Sequence, residues 1–307
     1  MPPRRHAVLP VLLLPLFPLL PLAAQTVDTT TPYVLHVPAS VRVVGLNEAA
    51  VAIVGDAGAV FANPAGLATI RHIALEGGYR AAPGDAFVVS GALGWRLRQF
   101  DIGLGGRLFD FGPDPASYLG PSVAPGADAR ELLGVGSLVY RFGLIALGGS
   151  GKVVRRTVGD AVERGVSVDA GLAIAFFDIM ALGFAVQNIG GNWRDASSLT
   201  LPRLTRLGFT MNYVDPQESF RLMSILEAQW PEDAEARIVV GGEAGVVVRG
   251  VGVIGRVGYS GDAAALAASN ATYGGSLRIG ALSLDYAYRA SDLLGRSSHQ
   301  FGARLTL

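Results

Sequence analysis

The sequence predicts an all-β fold, a fourteen-stranded antiparallel transmembrane β-barrel, on three observations. The last ten residues alternate strictly: Phe301, Ala303, Leu305 and Leu307 share one parity, Gln300, Gly302, Arg304 and Thr306 the other. Such a two-residue period makes one oily and one polar face. A chain ending on an amphipathic strand suits a strand that closes a barrel. The same alternation recurs in segments of about ten residues from His72 onward. Finally, the connections between segments sort into a very short set and a long set, which a soluble sandwich has no reason to do.

The N-terminus reads as an export signal. Arg4 and Arg5 precede an apolar stretch over 7–22, with Ala23-Ala24 before Gln25. Cleavage is expected after Ala24, and prolines at 10, 15, 18 and 21 argue against a stable spanning helix. With no cysteine in the chain, a lipoprotein anchor is excluded and stability must come from something other than disulfides. Net charge is zero, so no nucleic-acid partner is expected. Glycine is abundant, 41 of 307 residues, and spread through the strand-like segments, which fits small inward positions in a barrel. Lys152 is the only lysine, as an arginine-biased composition would leave it.

Residues 25–71 precede the repeating segments. Asn63-Pro64 is a helix-start signal, because asparagine can cap the first amides and proline suits the first helical position; a plain surface turn is the alternative. The stretch from Gly45 to Ala52, GLNEAAVA, with an Asp-containing spacer and the NPAGLA run at Asn63, Pro64, Ala65, Gly66, Leu67 and Ala68, resembles the N-terminal signature of the PorV/PorQ group within the FadL-like outer-membrane proteins. Gln187-Asn188-Ile189-Gly190 resembles a recurring strand-end element of that group. Asn47-Glu48 departs from it, where members carry small glycine-rich residues, and so does the terminal Leu307, where many outer-membrane proteins end in an aromatic. The resemblance implies that the N-terminal segment folds into the lumen as a hatch or plug. A fourteen-strand lumen is too wide for side chains alone to fill, so water or a plug must occupy it. Glu48, Asp56 and Asn63 are expected to hold the plug to lumen arginines.

The strands are expected at 72–80, 85–97, 100–112, 130–142, 144–158, 161–177, 179–190, 203–214, 219–230, 236–249, 251–260, 271–280, 282–291 and 297–307, within a 72–307 barrel. The run over 170–186 is apolar enough to imitate a spanning helix, but Asp178 interrupts it and it is too short. It reads better as two strands whose inward positions are small. An arginine facing lipid at the midplane costs about 2–4 kcal/mol, so the charged parity must face the lumen. That face carries Glu76, Arg80, Arg96, Asp101, Arg107, Arg141, Asp169, Arg206, Arg237, Glu243, Arg256, Arg278, Asp285, Arg289 and Arg304. Aromatics are expected in two belts: Tyr79, Phe109, Trp230, Tyr259, Tyr273 and Tyr288 at the external rim, and Trp95, Phe100, Tyr140, Phe142, Phe176, Tyr213 and Phe220 at the periplasmic rim.

Catalytic, cofactor and metal sites are not expected. Gly148-Gly149-Ser150-Gly151-Lys152 fails as a phosphate loop, with Ala146 and Val153 at required positions, and Gly103-Leu104-Gly105-Gly106 sits within a strand. His6, His36, His72 and His299 show no ligand spacing; Asp114, Asp128 and Asp262 match no calcium loop; Ser298-His299 lacks a third partner. The resemblance implies residence in the outer membrane after export through a cleaved signal peptide, with outer-membrane lipid and the barrel assembly machinery as partners. Its leading implication is transport or type IX-type secretion in the manner of PorV/PorQ, with secreted cargo as partner. The alternative is a FadL-like passive conduit for small hydrophobic or amphipathic solutes. A structural barrel or barrel enzyme is the remaining possibility.

Overall fold

The computed structural model describes residues 31–38, 40–124, 126–177, 179–190, 199–214, 219–261, 270–290 and 296–307. The export signal, Asp178 and parts of the long loops lie outside them. Fourteen strands close on themselves: β1 (Ile73–Ala81), β2 (Phe87–Leu97), β3 (Phe100–Asp110), β4 (Ala129–Phe142), β5 (Ile145–Val158), β6 (Ala161–Phe176), β7 (Met180–Ile189), β8 (Leu204–Val214), β9 (Phe220–Pro231), β10 (Arg237–Val248), β11 (Val251–Ser260), β12 (Ala271–Ile279), β13 (Leu282–Arg289) and β14 (Ser298–Thr306). Each pairs antiparallel with its sequence neighbours, and β1 meets β14 in register from Ala74↔Thr306 to Arg80↔Gln300. The last strand thus removes the only edges that the sheet would otherwise expose. Every strand end falls within two residues of its sequence-based span, because the period-2 pattern leaves little freedom in register.

The short turns need left-handed backbone, and Arg98, Gly143, Phe177, Arg249, Gly250 and Gly280 adopt it, with φ between 52° and 81°. The opposite end carries the long loops. Outward positions form an apolar belt of exposed side chains, among them Leu75, Leu104, Leu138, Leu226, Ile238, Val253 and Phe301. A belt of this extent belongs in hydrocarbon rather than water.

Two expectations about the faces need correction. Phe109 is fully buried, not in the external belt. It shares the parity of Asp101 and Arg107, and its ring lies 4.6 Å from Phe111 and 6.0 Å from Tyr33. Nor are the strand glycines only inward: Gly134, Gly136, Gly149 and Gly151 are exposed on the outer face.

Candidate functional site: a plugged, charged lumen

The described residues before β1, from Thr31 to Ile70, pack against inward-facing side chains of the barrel wall. Short helices at Tyr33–His36 and Val41–Gly45 lead to two 3-10 turns, Ala57–Phe61 and Pro64–Thr69. Asn63 caps the second turn: its Oδ1 accepts from the Ala65 amide at 3.1 Å, and Pro64 takes the first position. Asn63, Pro64, Ala65 and Gly66 are all buried. Asn63 does not reach an arginine, as the sequence suggested. Its Nδ2 donates instead to the carbonyls of Val51 (2.7 Å) and Leu172 (3.1 Å), because the tight turn points the amide at β6 backbone.

The plug backbone rests directly on the wall. At Gly183 a Cβ would sit 2.1 Å from the Val51 carbonyl oxygen, and at Gly258 2.2 Å from the Leu46 carbonyl carbon. Only glycine permits that approach. Around the turns, Val60, Leu67 and Ile70 bury against inward residues such as Ala92, Val139 and Ala173 in the main core. Backbone polar groups of the plug find charged wall partners. The Ala50 and Val51 amides donate to Glu227 at 2.7 and 2.8 Å, and the Val34 amide to Glu131 at 2.7 Å. Arg107 donates to the carbonyls of Val34 and Val37 while stacking over Phe61, and Arg156 donates to the Thr31 carbonyl at 3.0 Å.

The plug's own charges enter a closed ring of alternating sign. Arg42 pairs with Glu243 and with Asp56, both at 2.6 Å. Glu243 pairs with Arg256 (2.5 Å), Arg256 with Asp285 (3.2 Å), Asp285 with Arg304 (2.7 Å), and Arg304 returns to Asp56 (3.2 Å). Two members come from the plug and four from β10, β11, β13 and β14. Next to it, Glu48 bridges Arg237 (3.0 Å) and Arg289 (2.8 Å), and its carbonyl accepts from Arg206 at 2.5 Å. Asn47 and Glu48 sit at φ 52° and 72°, a reversal that turns the carboxylate back to the wall. Burial raises the pKa of Glu48, but Arg289 and Arg237 outweigh it and hold it at about 2. Burial likewise opposes ionisation of Asp56, and Arg42 and Arg304 overcome it.

The remaining lumen-facing candidates serve the wall itself. Asp101 pairs with Arg141 (2.7 Å) and Arg96 (3.5 Å) near the short turns, and Arg278 donates to the Gly280 carbonyl there. Asp169, at a bulge between β6 and β7, binds Lys152 (2.8 Å) and the Asn188 amide (2.8 Å). In the Gln187–Gly190 element, Gln187 donates to the Phe61 carbonyl of the plug at 2.8 Å. Sequence reasoning missed Glu131, Lys152, Arg156 and Arg42. The first three lie on the inward parity, so the alternation could have found them; Arg42 lies in a segment without period.

A cavity of about 110 Å³ remains between the plug and the wall. Leu35, Val43, Phe61, Leu133 and Leu204 supply apolar lining; His36, Glu48, Arg107, Lys152, Arg206 and Arg237 supply the polar part. Enclosure in the lumen pushes the His36 pKa down, against the pull of Asp233 and Glu48. The loop after β3 folds over the lumen: Tyr118 is buried, accepts at its carbonyl from the Tyr33 hydroxyl (2.7 Å), and donates to the Pro83 carbonyl (2.7 Å).

The closed fourteen-strand barrel is similar in fold to FadL-like outer-membrane barrels. The chain is similar to a Pseudomonas aeruginosa FadL homologue, with a TM-score of 0.58 at 14% identity over 88% of this chain and 99% of that one. It is similar to the P. putida toluene transporter TodX, with a TM-score of 0.57 at 10% identity over 88% and 98%. The monoaromatic hydrocarbon channel CymD gives 0.58 at 11% identity over 88% and 97%. No family model matches the sequence, and no curated protein matches it. At these identities the likeness establishes the fold.

Proposed function

We propose that this chain is an outer-membrane conduit for small hydrophobic or amphipathic molecules, with residues 31–71 as its gate. The observation that carries this reading is the lumen: it is filled by a separable segment, yet keeps a cavity with an apolar and a cationic side. Of its lining cations Lys152, Arg206 and Arg237 are paired with Asp169, Glu227 and Glu48, while Arg107 meets plug carbonyls and the Phe61 ring, which leaves Arg107 to favour a solute with an acidic or polarisable end. The similar structures described as toluene transporters and a hydrocarbon channel support the conduit. The secretion reading, which the sequence resemblance placed first, draws no support from them. Residues 25–71 as plug, the barrel from 72 and an exterior at the long loops are parts of the same proposal.

Liposomes containing the purified protein test it. Uptake of small apolar solutes above that of empty vesicles, increased when residues 31–71 are deleted, is the expected result. A sealed barrel that captures secreted proteins through its loops would overturn the conduit in favour of secretion.

A further inference from the structure

The cations that line the cavity between plug and wall are not equivalent. Lys152 is paired with Asp169 at 2.8 Å, Arg206 with Glu227 at 2.6 Å and Arg237 with Glu48 at 3.0 Å. Arg107, only 6% exposed, meets no carboxylate among the described residues. Both of its hydrogen bonds leave from Nη1, to the carbonyls of Val34 and Val37, and its guanidinium lies 4.9 Å from the centre of the Phe61 ring. Nε is shut off from bulk water and has no acceptor. The Nε–Nη2 edge is therefore unused. That edge is one through which a guanidinium takes a carboxylate, by two parallel N–H···O bonds. Arginine keeps its charge when buried, and a buried charge without a counter-charge is expensive.

The surroundings of that edge narrow the missing counter-ion. Each of the other three lining cations already has a carboxylate, so a single negative charge is what Arg107 lacks. Leu133 is its direct cross-strand partner, and with Leu35 and Phe61 it makes the adjoining lining apolar. The space is about 110 Å³. A cavity of about 150 Å³ accepts benzene, so this one holds an organic part of about two to four carbons. Chloride would meet the charge and leave the apolar lining bare. A long-chain acid would meet both and have no room for its tail.

We propose that this cavity binds short-chain monocarboxylates, of the size of propionate or butyrate, with the carboxylate on the Nε–Nη2 edge of Arg107 and the chain against Leu35, Phe61 and Leu133. The proposal rests on the conduit reading for the claim that such acids are cargo. Binding itself does not depend on transport.

Isothermal titration calorimetry of the full barrel in non-ionic detergent, with butyrate, butan-1-ol and octanoate, is the test. Butyrate is expected to bind about tenfold more tightly than butan-1-ol, the lower end of what hydrogen bonds to a charged group supply. Octanoate should bind no more tightly than butyrate. Arg107→Gln, checked for folding by heat-modifiable gel migration, should lose the preference for the acid. Arg107→Lys keeps the charge without the planar edge and should recover only part of it. Leu133→Phe leaves the Arg107 side chain in place, fills the apolar side, and should weaken butyrate more than acetate. Equal affinity for butyrate and butan-1-ol, or unchanged butyrate binding by folded Arg107→Gln, overturns the proposal. Tighter binding of octanoate overturns the size limit, and chloride displacing butyrate at equal concentration overturns the organic part. Liposome uptake of neutral apolar solutes is read separately. Butyrate binding without any uptake keeps the site and removes the conduit, and uptake without butyrate binding does the reverse.

Discussion

Both halves of the wall pack against the plug, but only one of them pairs with the plug's own side-chain charges. Along β8–β14 the contacts are charges: Glu227, Arg237, Glu243, Arg289 and Arg304 meet Glu48, Arg42, Asp56 or the Ala50 and Val51 amides. Along β2–β7 no plug side-chain charge is paired among the described residues: apolar side chains of the 3-10 turns bury against small residues, the Val51 carbonyl lies on Gly183, and Arg107, Glu131, Arg156 and Gln187 hydrogen-bond to the plug only at its backbone groups. Apolar packing tolerates sliding, because a displaced methyl finds another methyl. Buried ion pairs do not, since a displaced charge loses its partner and its hydration together. The charged half therefore specifies where the plug sits, and the packed half supplies burial once it is there. A gate built this way opens by losing a few ionic contacts, whereas the other side keeps its apolar packing.

The largest effect expected from breaking this contrast is at Glu227. Truncation by Glu227→Ala leaves Arg206 without its carboxylate, now 2.6 Å away, and strands two plug amides. Loss of one partner of a buried pair costs about 3–5 kcal/mol. The plug should become protease-sensitive and pore conductance in planar bilayers should rise, while the barrel keeps its heat-modifiable migration. Unchanged conductance with a protected plug would show that the packed half suffices.

Acidification should release the same half reversibly. The folded pKa of Glu48, about 2, lies below its ordinary 4.5, so the stabilisation is fully present above about pH 4.5 and fades as pH falls towards 2. The linked free energy is on the order of 3 kcal/mol. Conductance should climb across that window, with Asp56 adding in the same direction. In Glu48→Gln the climb should be shallower and start from a higher conductance at neutral pH. A wild type that stays closed at pH 3 would place the latch elsewhere.

How much of this was legible beforehand follows from periodicity. Strands repeat every two residues, so their number, spans and faces can be read from alternation alone, and Arg107, Arg206, Arg256, Asp285 and Arg304 stand where their parity puts them. Phe109 was misplaced only because its position near a strand end outweighed its parity. The plug has no period, and its contacts are set by which wall residues it happens to lie against. Arg42 looks like any exposed cation in a short polar stretch. Glu48 looked like a departure from a pattern, yet it is the residue that two arginines clasp. Asn63 was legible as a cap, but its second role needed the position of Leu172 in space.

The packed half predicts smaller changes. At Gly183 a methyl has no room, and Gly183→Ala must lift the Val51 backbone; overpacking of this kind costs about 1–3 kcal/mol. If the ionic half alone positions the plug, the segment should stay inside and conductance should rise less than in Glu227→Ala. An equal or greater rise would mean that shape, and not charge, sets the seat.

The smallest expected effect is at Asn63. Its Oδ1 caps the second 3-10 turn and its Nδ2 ties that turn to Val51 and to Leu172 of β6. Asn63→Ala removes the cap, worth about 1 kcal/mol, and leaves buried carbonyls under-satisfied for a similar amount. Asn63→Asp keeps the cap acceptor but cannot donate to either carbonyl, so it separates the two contributions. Protease protection of the plug should fall in the order wild type, Asn63→Ala, Asn63→Asp, because a buried carboxylate facing two carbonyl oxygens is worse than an empty methyl. Conductance at neutral pH should stay near the wild-type value in Asn63→Ala, since every ionic contact of the other half remains. If Asn63→Ala opens the pore as widely as Glu227→Ala does, the division of labour between the two walls is wrong and the NPAGLA turn is itself the latch.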